Sequence, residues 1–484
     1  MTESFLATRR GKLTLILLCC VAFMDFVDAS IVNVALPSIR VALHFSVQGL
    51  QWVPSAYLLT YGGFMLLGGR AADLLGRRRV LVAGTVVIGV ASLVGGFAGD
   101  AGVLIGARLV QGLGAALMLP SALSYLTTSF KDGKERHTAL SVWAGVAGLS
   151  SAAGVLFGGL LTQGPGWRWV MFVNPIACVL LLGPIFGLLS GERGKARATD
   201  FDIPGAVLAT GGMLLLVFGL VQAPDQGWGD GRTIGELAGA IVILALFVLN
   251  ETRSRQPLLP LSIFRVRGLA AADATQLIAL AGFTSMFFFL TLYMQNVLGY
   301  SPVRTGLAYL PLCFAVGIGS GIAGGLLSRV GTRPVIAVGA IVTAGGVYWL
   351  SRIPVHGSFL TDLLPGMLVT AVGIGAMFVG VSTAANAGVR PDQAGLAAAL
   401  LNSAQQVGGA LGLAVLSAIS TARAGQLLAA HDTVRVALTG GFQRALLAGS
   451  IALAASAVLA LWIASTKGET PAPAPAQAPS VTVP

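Results

Sequence analysis

G-R-A-A-D-L-L-G-R-R-R, residues 69–79, connects two long apolar runs at residues 52–67 and 80–98. About 20 apolar residues in helical form cross a bilayer. Two such runs so closely spaced predict a tight hairpin of membrane-crossing helices. The connection carries four arginines, Arg70, Arg77, Arg78 and Arg79, a composition that favours the cytoplasmic side. It also carries one carboxylate, Asp73, between Gly69 and Gly76. A connection that needed only solubility would not need that order of residues.

Outward from this hairpin, similar apolar runs recur through all 484 residues, of which 55% are hydrophobic and 10% charged. Soluble domains are about a quarter charged. In lipid every backbone polar group needs an internal partner, so these runs must be helices. A transmembrane barrel would instead show short alternating segments. The fold class read here is an all-α polytopic membrane protein. Its fourteen helices are expected near residues 13–36, 48–68, 80–98, 103–126, 138–162, 168–189, 204–222, 234–250, 269–293, 304–327, 334–352, 359–385, 394–419 and 444–464.

An even number of spans puts both termini on one side. With the termini inside, 21 of the 30 Lys and Arg residues fall on inner segments and 8 on outer ones, with Arg108 inside a span. That asymmetry sets the termini in the cytoplasm. The net charge of +11 therefore reports membrane orientation and not nucleic-acid binding. Cys19, Cys20, Cys178 and Cys313 all lie in apolar runs and read as packing residues, not as a disulfide or metal framework. Arg9, Arg10 and Lys12 precede the first run, which is too long for a signal-peptide core and reads as an uncleaved span.

The chain repeats itself. G-G-L-L-S-R-V-G-T-R at residues 324–333 echoes the first hairpin, with Gly331 placed 255 residues after Gly76 and Ser328 where Asp73 stood. The expected organisation is an N-terminal six-helix bundle at 1–190 and a linker with two additional helices at 191–268. A C-terminal six-helix bundle follows at 269–464, then a disordered cytoplasmic tail at 465–484.

Several motifs now carry a resemblance. The order at 69–79 is similar to the signature between helices 2 and 3 of the major facilitator superfamily. D-A-S-I-V-N-V-A-L-P at 28–37, R-L-V-Q-G-L-G-A-A at 108–116 and W-R-W-V-M-F-V-N-P at 167–175 resemble signatures of its fourteen-helix drug:proton antiporters. So do Y-M-Q-N-V-L-G-Y-S-P-V-R-T-G-L at 293–307 and L-L-N-S-A-Q-Q-V-G-G-A-L-G at 400–412. The resemblance implies a major facilitator fold: two six-helix bundles plus two inserted helices. It also implies that the proton gradient drives export, with no cofactor. In the family the first hairpin, here Gly69, Asp73, Gly76, Arg77 and Arg78, latches the halves on the cytoplasmic face in the outward-open state, with helix 13 as partner. One departure stands in helix 5. The exporter motif G-P-x-x-G-G reads G-V-L-F-G-G, with Gly154, Gly158 and Gly159 kept and Val155 in place of proline.

Inside the spans, ionisable residues are costly and mark function. Asp25 and Asp28 lie three apart on one face of helix 1. Two acids at that spacing repel when both are ionised, which suits groups that take up and release a proton. Arg108 in helix 4 lies at a depth from which it can pair with Asp28; the competing reading is snorkelling to the outer interface. Asn33, Asp273, Phe283, Phe287 and Tyr293 are the candidate substrate-cavity residues, with packing or interfacial roles as the alternative. The histidines, His44, His137, His356 and His431, are expected in loops, which leaves the proton to carboxylates. No Walker A, H-E-x-x-H or G-x-S-x-G sequence is present.

The function read from this is proton-coupled export of small lipophilic drugs, antibiotics or dyes by alternating access. The alternatives are proton-coupled uptake of a metabolite and a lipid-handling or sensor role. The expected partners are a lipophilic small molecule, protons and the bilayer, with no nucleic acid; the expected assembly is a monomer. Arg outnumbers Lys by 25 to 5, a usage that hints at a GC-rich bacterium and so at a bacterial cytoplasmic membrane.

Overall fold

The structure, a computed structural model, describes residues 5–46, 48–130, 134–191, 202–254, 257–266, 268–387, 389 and 393–463. The tail expected at 465–484 lies outside the described residues. Among the described residues fourteen long helices form: α1 (Arg9–Ala42), α2 (Trp52–Leu75), α3 (Arg77–Gly96), α4 (Ala101–Ser129), α5 (Lys134–Gln163), α6 (Arg168–Leu188) and α7 (Ile203–Gln226). They continue with α8 (Gly231–Arg253), α9 (Leu269–Leu292), α10 (Pro302–Val330), α11 (Thr332–Leu350), α12 (Leu364–Asn386), α13 (Ala394–Ala429) and α14 (Val434–Leu459). Thirteen of them hold an apolar stretch long enough to cross a membrane. The other, α2, is less apolar because Ser55, Tyr57, Thr60 and Tyr61 interrupt it, and all four are buried against protein.

The first hairpin is tighter than a loop. Residues 69–75 are the last turns of α2, Arg77 already begins α3, and Gly76 alone joins them at φ 99°. A left-handed backbone of this kind is open to glycine at little steric cost. Gly331 joins α10 to α11 in the same way at φ 83°. The two repeats therefore conserve the turn geometry even though Asp73 has become Ser328.

Two outer boundaries differ from the expected ones. α13 runs on to Ala429 and α14 starts at Val434, so Arg423, Arg435 and Arg444 are helical and not in an outer loop. The low hydropathy of this stretch marks helix ends reaching beyond the apolar layer. Thr433 caps the second helix by accepting from Val436 N at 3.5 Å. His137 likewise falls in α5, whereas His44, His356 and His431 stand in turns.

Helices α1–α6 pack on one another, as do α9–α14. Small residues set the approach within the first group. A Cβ at Gly84 or Gly114 would press on the facing backbone of the α3–α4 pair, and one at Gly158 would lie 2.6 Å from the Ile31 carbonyl on α1. Between the groups, α5 meets α10 and α2 meets α13. The inserted α7 lies along that second seam, where Val217 and Val221 pack with Leu59 of α2 and with Ala410 and Ala414 of α13. α8 packs on α7 and buries only 11% of its most apolar stretch, which leaves the rest to lipid.

The contacts between groups gather in the outer halves. Gly159 abuts the Pro302 carbonyl, Gln163 Oε1 accepts from Val303 N at 3.3 Å, and Gln295 Nε2 donates to the Val34 carbonyl at 2.9 Å. On the inner side Val142 and Leu149 of α5 are 44% and 65% exposed. The described contacts of Gly159, Gln163 and Gln295 join the two groups toward the outer ends of α1, α5, α9 and α10.

Candidate functional site

R-L-V-Q-G-L-G-A-A brings Arg108 to the acids of α1 by packing, not by reach alone. Gly112 lets α4 press against the α2 backbone at Tyr57 and Tyr61, and Gly114 does the same against α3 at Ile88. Arg108 is thereby drawn into the bundle with 1% of its surface exposed. This rules out snorkelling to the outer interface. Its Nη1 lies 2.9 Å from Asp28 Oδ2 and donates to Gln111 Oε1 at 3.0 Å, and its Nε donates to the Val53 carbonyl at 3.1 Å. The guanidinium also stands 4.3 Å above the Tyr57 ring. Each contact offsets part of the desolvation that a buried guanidinium suffers.

Asp28 is held on its second oxygen by Asn174 Nδ2 of α6. Asp25, one turn earlier, faces α2: Tyr57 Oη donates to its Oδ1 at 3.2 Å and Tyr61 Oη to its Oδ2 at 2.9 Å. Both acids are 3% exposed. Tyr57 links Asp25 to Arg108, with its hydroxyl on the acid and its ring face under the guanidinium. Gln111 extends the network to Ser92 of α3 at 2.5 Å. Five helices of one bundle thus converge on two carboxylates and one cation, which together carry a net charge of about −1 if both acids are ionised. Adding a proton to Asp28 would leave Arg108 with no carboxylate at its Nη1, so the arrangement can exchange an ion pair for a neutral acid and a helix shift.

Asn174, Gln111, Tyr57, Tyr61 and Ser92 are absent from the sequence-derived site. Asn174 and Gln111 sit inside the motifs already quoted, three residues after Met171 and Arg108 respectively, and their signal was a polar side chain in an apolar span. Tyr57 and Tyr61, four apart on α2, showed the same signal.

The hairpin residues lie apart from this network, at the inner surface. Asp73 is 60% exposed at the side chain, 3.8 Å from Arg77 Nη2, and accepts from Ser124 Oγ of α4 at 3.4 Å. Arg77 Nε also donates to Ser124 Oγ at 2.8 Å, and Arg78 Nη1 to the Leu189 carbonyl at 3.0 Å. Among the described residues Asp73 engages α3 and α4 of its own bundle and not α13.

The expected cavity residues divide. Phe283 and Phe287 are half-buried, with ring centroids 5.2 Å apart, and join Phe378 of α12 at 6.3 Å and Tyr309 of α10 at 4.6 Å. They form an aromatic wall on the second bundle. Asn33 is also half-buried, but its amide donates to the Ala29 carbonyl of its own helix at 3.0 Å. Tyr293 is fully buried at the outer end, with its hydroxyl on the Pro354 carbonyl at 2.5 Å. Asp273 is 8% exposed within the second bundle. Neither of the last two lines a cavity: the outer seam covers Tyr293, and the packing of α9 covers Asp273.

Gly154, Gly158 and Gly159 of α5 stand at close helix–helix approaches. Gly154 and Gly158 seat α5 on α1, Gly159 seats it on α10, and Gly306 of α10 presses on the Val155 carbonyl. Val155 is 1% exposed and α5 is continuous through it. Cys19, Cys20, Cys178 and Cys313 are free thiols.

The family model of the Major Facilitator Superfamily matches residues 18–413. The chain belongs to this superfamily. It is 40% identical over 431 residues to the puromycin resistance protein pur8 of Streptomyces alboniger, covering 88% of this chain and 85% of that one. It is 38% identical to the cephamycin export protein CmcT of Amycolatopsis lactamdurans, covering 85% and 86%. It is 34% identical to the lincomycin resistance protein of Streptomyces lincolnensis, covering 85% of each. Among solved structures, the fold matches a bacterial homologue of the human lysosomal transporter Spinster, inward-facing and unoccupied, with TM-score 0.66 at 15% identity, covering 94% of this chain and 97% of that one. The superfamily chain is a multi-pass protein of the bacterial plasma membrane.

Proposed function

We propose that this superfamily member is a proton-coupled antiporter that exports small lipophilic compounds, of the antibiotic, drug or dye class, from the cytoplasm. The observation that carries the reading is the division of labour between the bundles. The first holds a sealed acid–arginine network; the second holds a half-buried aromatic wall. The named resistance and export roles of the relatives support the direction and the substrate class.

In the cycle proposed here, an apolar compound enters from the cytoplasm and lies against Phe283, Phe287 and Phe378. Protonation of Asp28 releases Arg108 and loosens α1 from α4 and α6; deprotonation restores the pair. Asp25, held by two tyrosines, stands one turn away as a relay. Asp73 is exposed here and becomes the inner latch when the inner ends close. A proton falling through 100 mV releases about 2.3 kcal/mol, enough for a gradient of roughly fifty-fold at 1.4 kcal/mol per decade.

The test is transport of ethidium by the full chain in proteoliposomes under an imposed pH gradient. Asp28→Asn abolishes gradient-driven movement while leaving dye binding in place. Undiminished movement removes Asp28 from the mechanism. Movement in the same direction as the protons replaces antiport with symport.

A further inference from the structure

Outside the first-bundle network, α9 buries a second carboxyl. Asp273 lies four residues into that helix, and Gln276 follows three residues on, on the same face. They are 8% and 1% exposed. Neither oxygen of Asp273, and neither polar atom of Gln276, has a hydrogen-bond partner among the described residues. A buried ionised carboxylate without donors or a cation costs several kcal/mol, so such groups are neutral or paired.

The surroundings limit what could pair with it. Flanking Asp273 on α9, Leu269 and Ala272 pack with Ile336 of α11, with Val381 and Ala384 of α12, and with Ala397, Leu400 and Leu401 of α13. Ala460 and Ile463, after α14, and Ile263, before α9, complete this shell. Among the described charged residues on those elements, Arg265 ends the turn before α9 and Arg333 opens α11, where its Nε donates to the Ile463 carbonyl at 2.5 Å. Arg423 of α13 and Arg435 and Arg444 of α14 stand toward the outer ends of their helices. On α1, which also touches α9, Asp25 and Asp28 are bound to α2, α4 and α6. Asp273 forms no ion pair with any of them.

The geometry points to Asp273 as a proton-binding site of the second bundle, with Gln276 as the neighbour that receives or donates its hydrogen bond when α9 shifts. Its depth excludes a bulky organic cation as ligand, since so little of its surface is open. A proton needs no cavity, and Asp273 lies in the second turn of α9, near its N-terminal end. The bundle that presents the aromatic wall thus has an acid of its own, two to three turns below Phe283 on the same helix. Its use in coupling rests on the proton-coupled reading above; its binding of a proton does not.

The experiment uses the full chain in lipid bilayers with no substrate present. Infrared difference spectra between mildly acidic and alkaline pH read the carbonyl stretch of carboxylic acids. The expected result is a band that is lost in Asp273→Asn and shifted in Gln276→Leu, and that persists in Asp28→Asn. Asp273→Glu, which keeps the acid, retains a displaced band and guards against loss through misfolding. A spectrum unchanged by Asp273→Asn overturns the proposal. Because no transport is measured, the result stands apart from whether antiport occurs.

Discussion

The two bundles can be laid on each other by the 255-residue offset that carries Gly76 onto Gly331. Under that offset Asp28 falls on Phe283 and Asp73 on Ser328. The same place in the repeat is therefore an acid paired with arginine in one bundle and a half-buried aromatic in the other. In the first bundle both acids of α1 are fully engaged by Tyr57, Tyr61, Arg108 and Asn174. In the second, α9 carries an aromatic wall, and its one acid has no hydrogen-bond partner among the described residues. A duplicated fold has kept its turns and helix seams, which geometry dictates, and has separated charge handling from apolar contact, which share no chemistry.

The largest effect that would break this comparison lies in the pair. Arg108→Leu leaves the buried Asp28 without its cation and lowers stability by about 3–5 kcal/mol, read as the thermal unfolding of the purified protein in detergent. Adding Asp28→Leu recovers much of that loss. If the single substitution is harmless, the network is not the buried unit described here. Next comes Gly158→Val, which presses on the Ile31 carbonyl and costs about 1–3 kcal/mol by overpacking. Gly317→Val, which meets nothing within 4 Å, leaves the unfolding temperature in place. Equal losses at the two positions would remove the small-residue account of the α1–α5 seam.

A smaller effect sharpens the role of the second bundle. Phe283→Ala weakens ethidium binding by about 0.5–1.5 kcal/mol, roughly two- to twelvefold, measured by fluorescence titration in detergent. Binding that does not change would place the dye elsewhere. Smallest in stability is the exchange of the hairpin acid. Asp73→Asn and Ser328→Asp each shift stability by less than about 1 kcal/mol, since the groups are exposed. Only Asp73→Asn slows transport in proteoliposomes. Equal slowing by both would return the two hairpins to symmetry.

Much of the site's chemistry was legible because membrane spans tolerate few polar residues. Asp25, Asp28 and Arg108 stand out from an apolar background, and helical rise places the last two within mutual reach. Asn174 and Gln111 escaped because an amide in a span stands out less than a charge. Tyr57 and Tyr61 escaped because tyrosines also serve as interfacial anchors. Tyr293 and Asp273 were read toward a cavity because the sequence gives no sign of which helix faces packing covers.

The amino-acid order alone determined the class and the long apolar helices, and it set the expectations of orientation and repeat. Those follow from hydropathy, loop charge and residue spacing, which act along one helix or hairpin at a time. Only the tertiary structure decided that Gly76 by itself makes the first turn, and that Asp28 meets Arg108 and Asn174. It also decided that Asp73 rests on its own bundle and that Asp273 lies buried without a hydrogen-bond partner among the described residues. These depend on how closely helices distant in sequence approach, a distance set by the volumes of residues such as Gly112 and Gly158 and of the residues facing them, and no single helix carries that information.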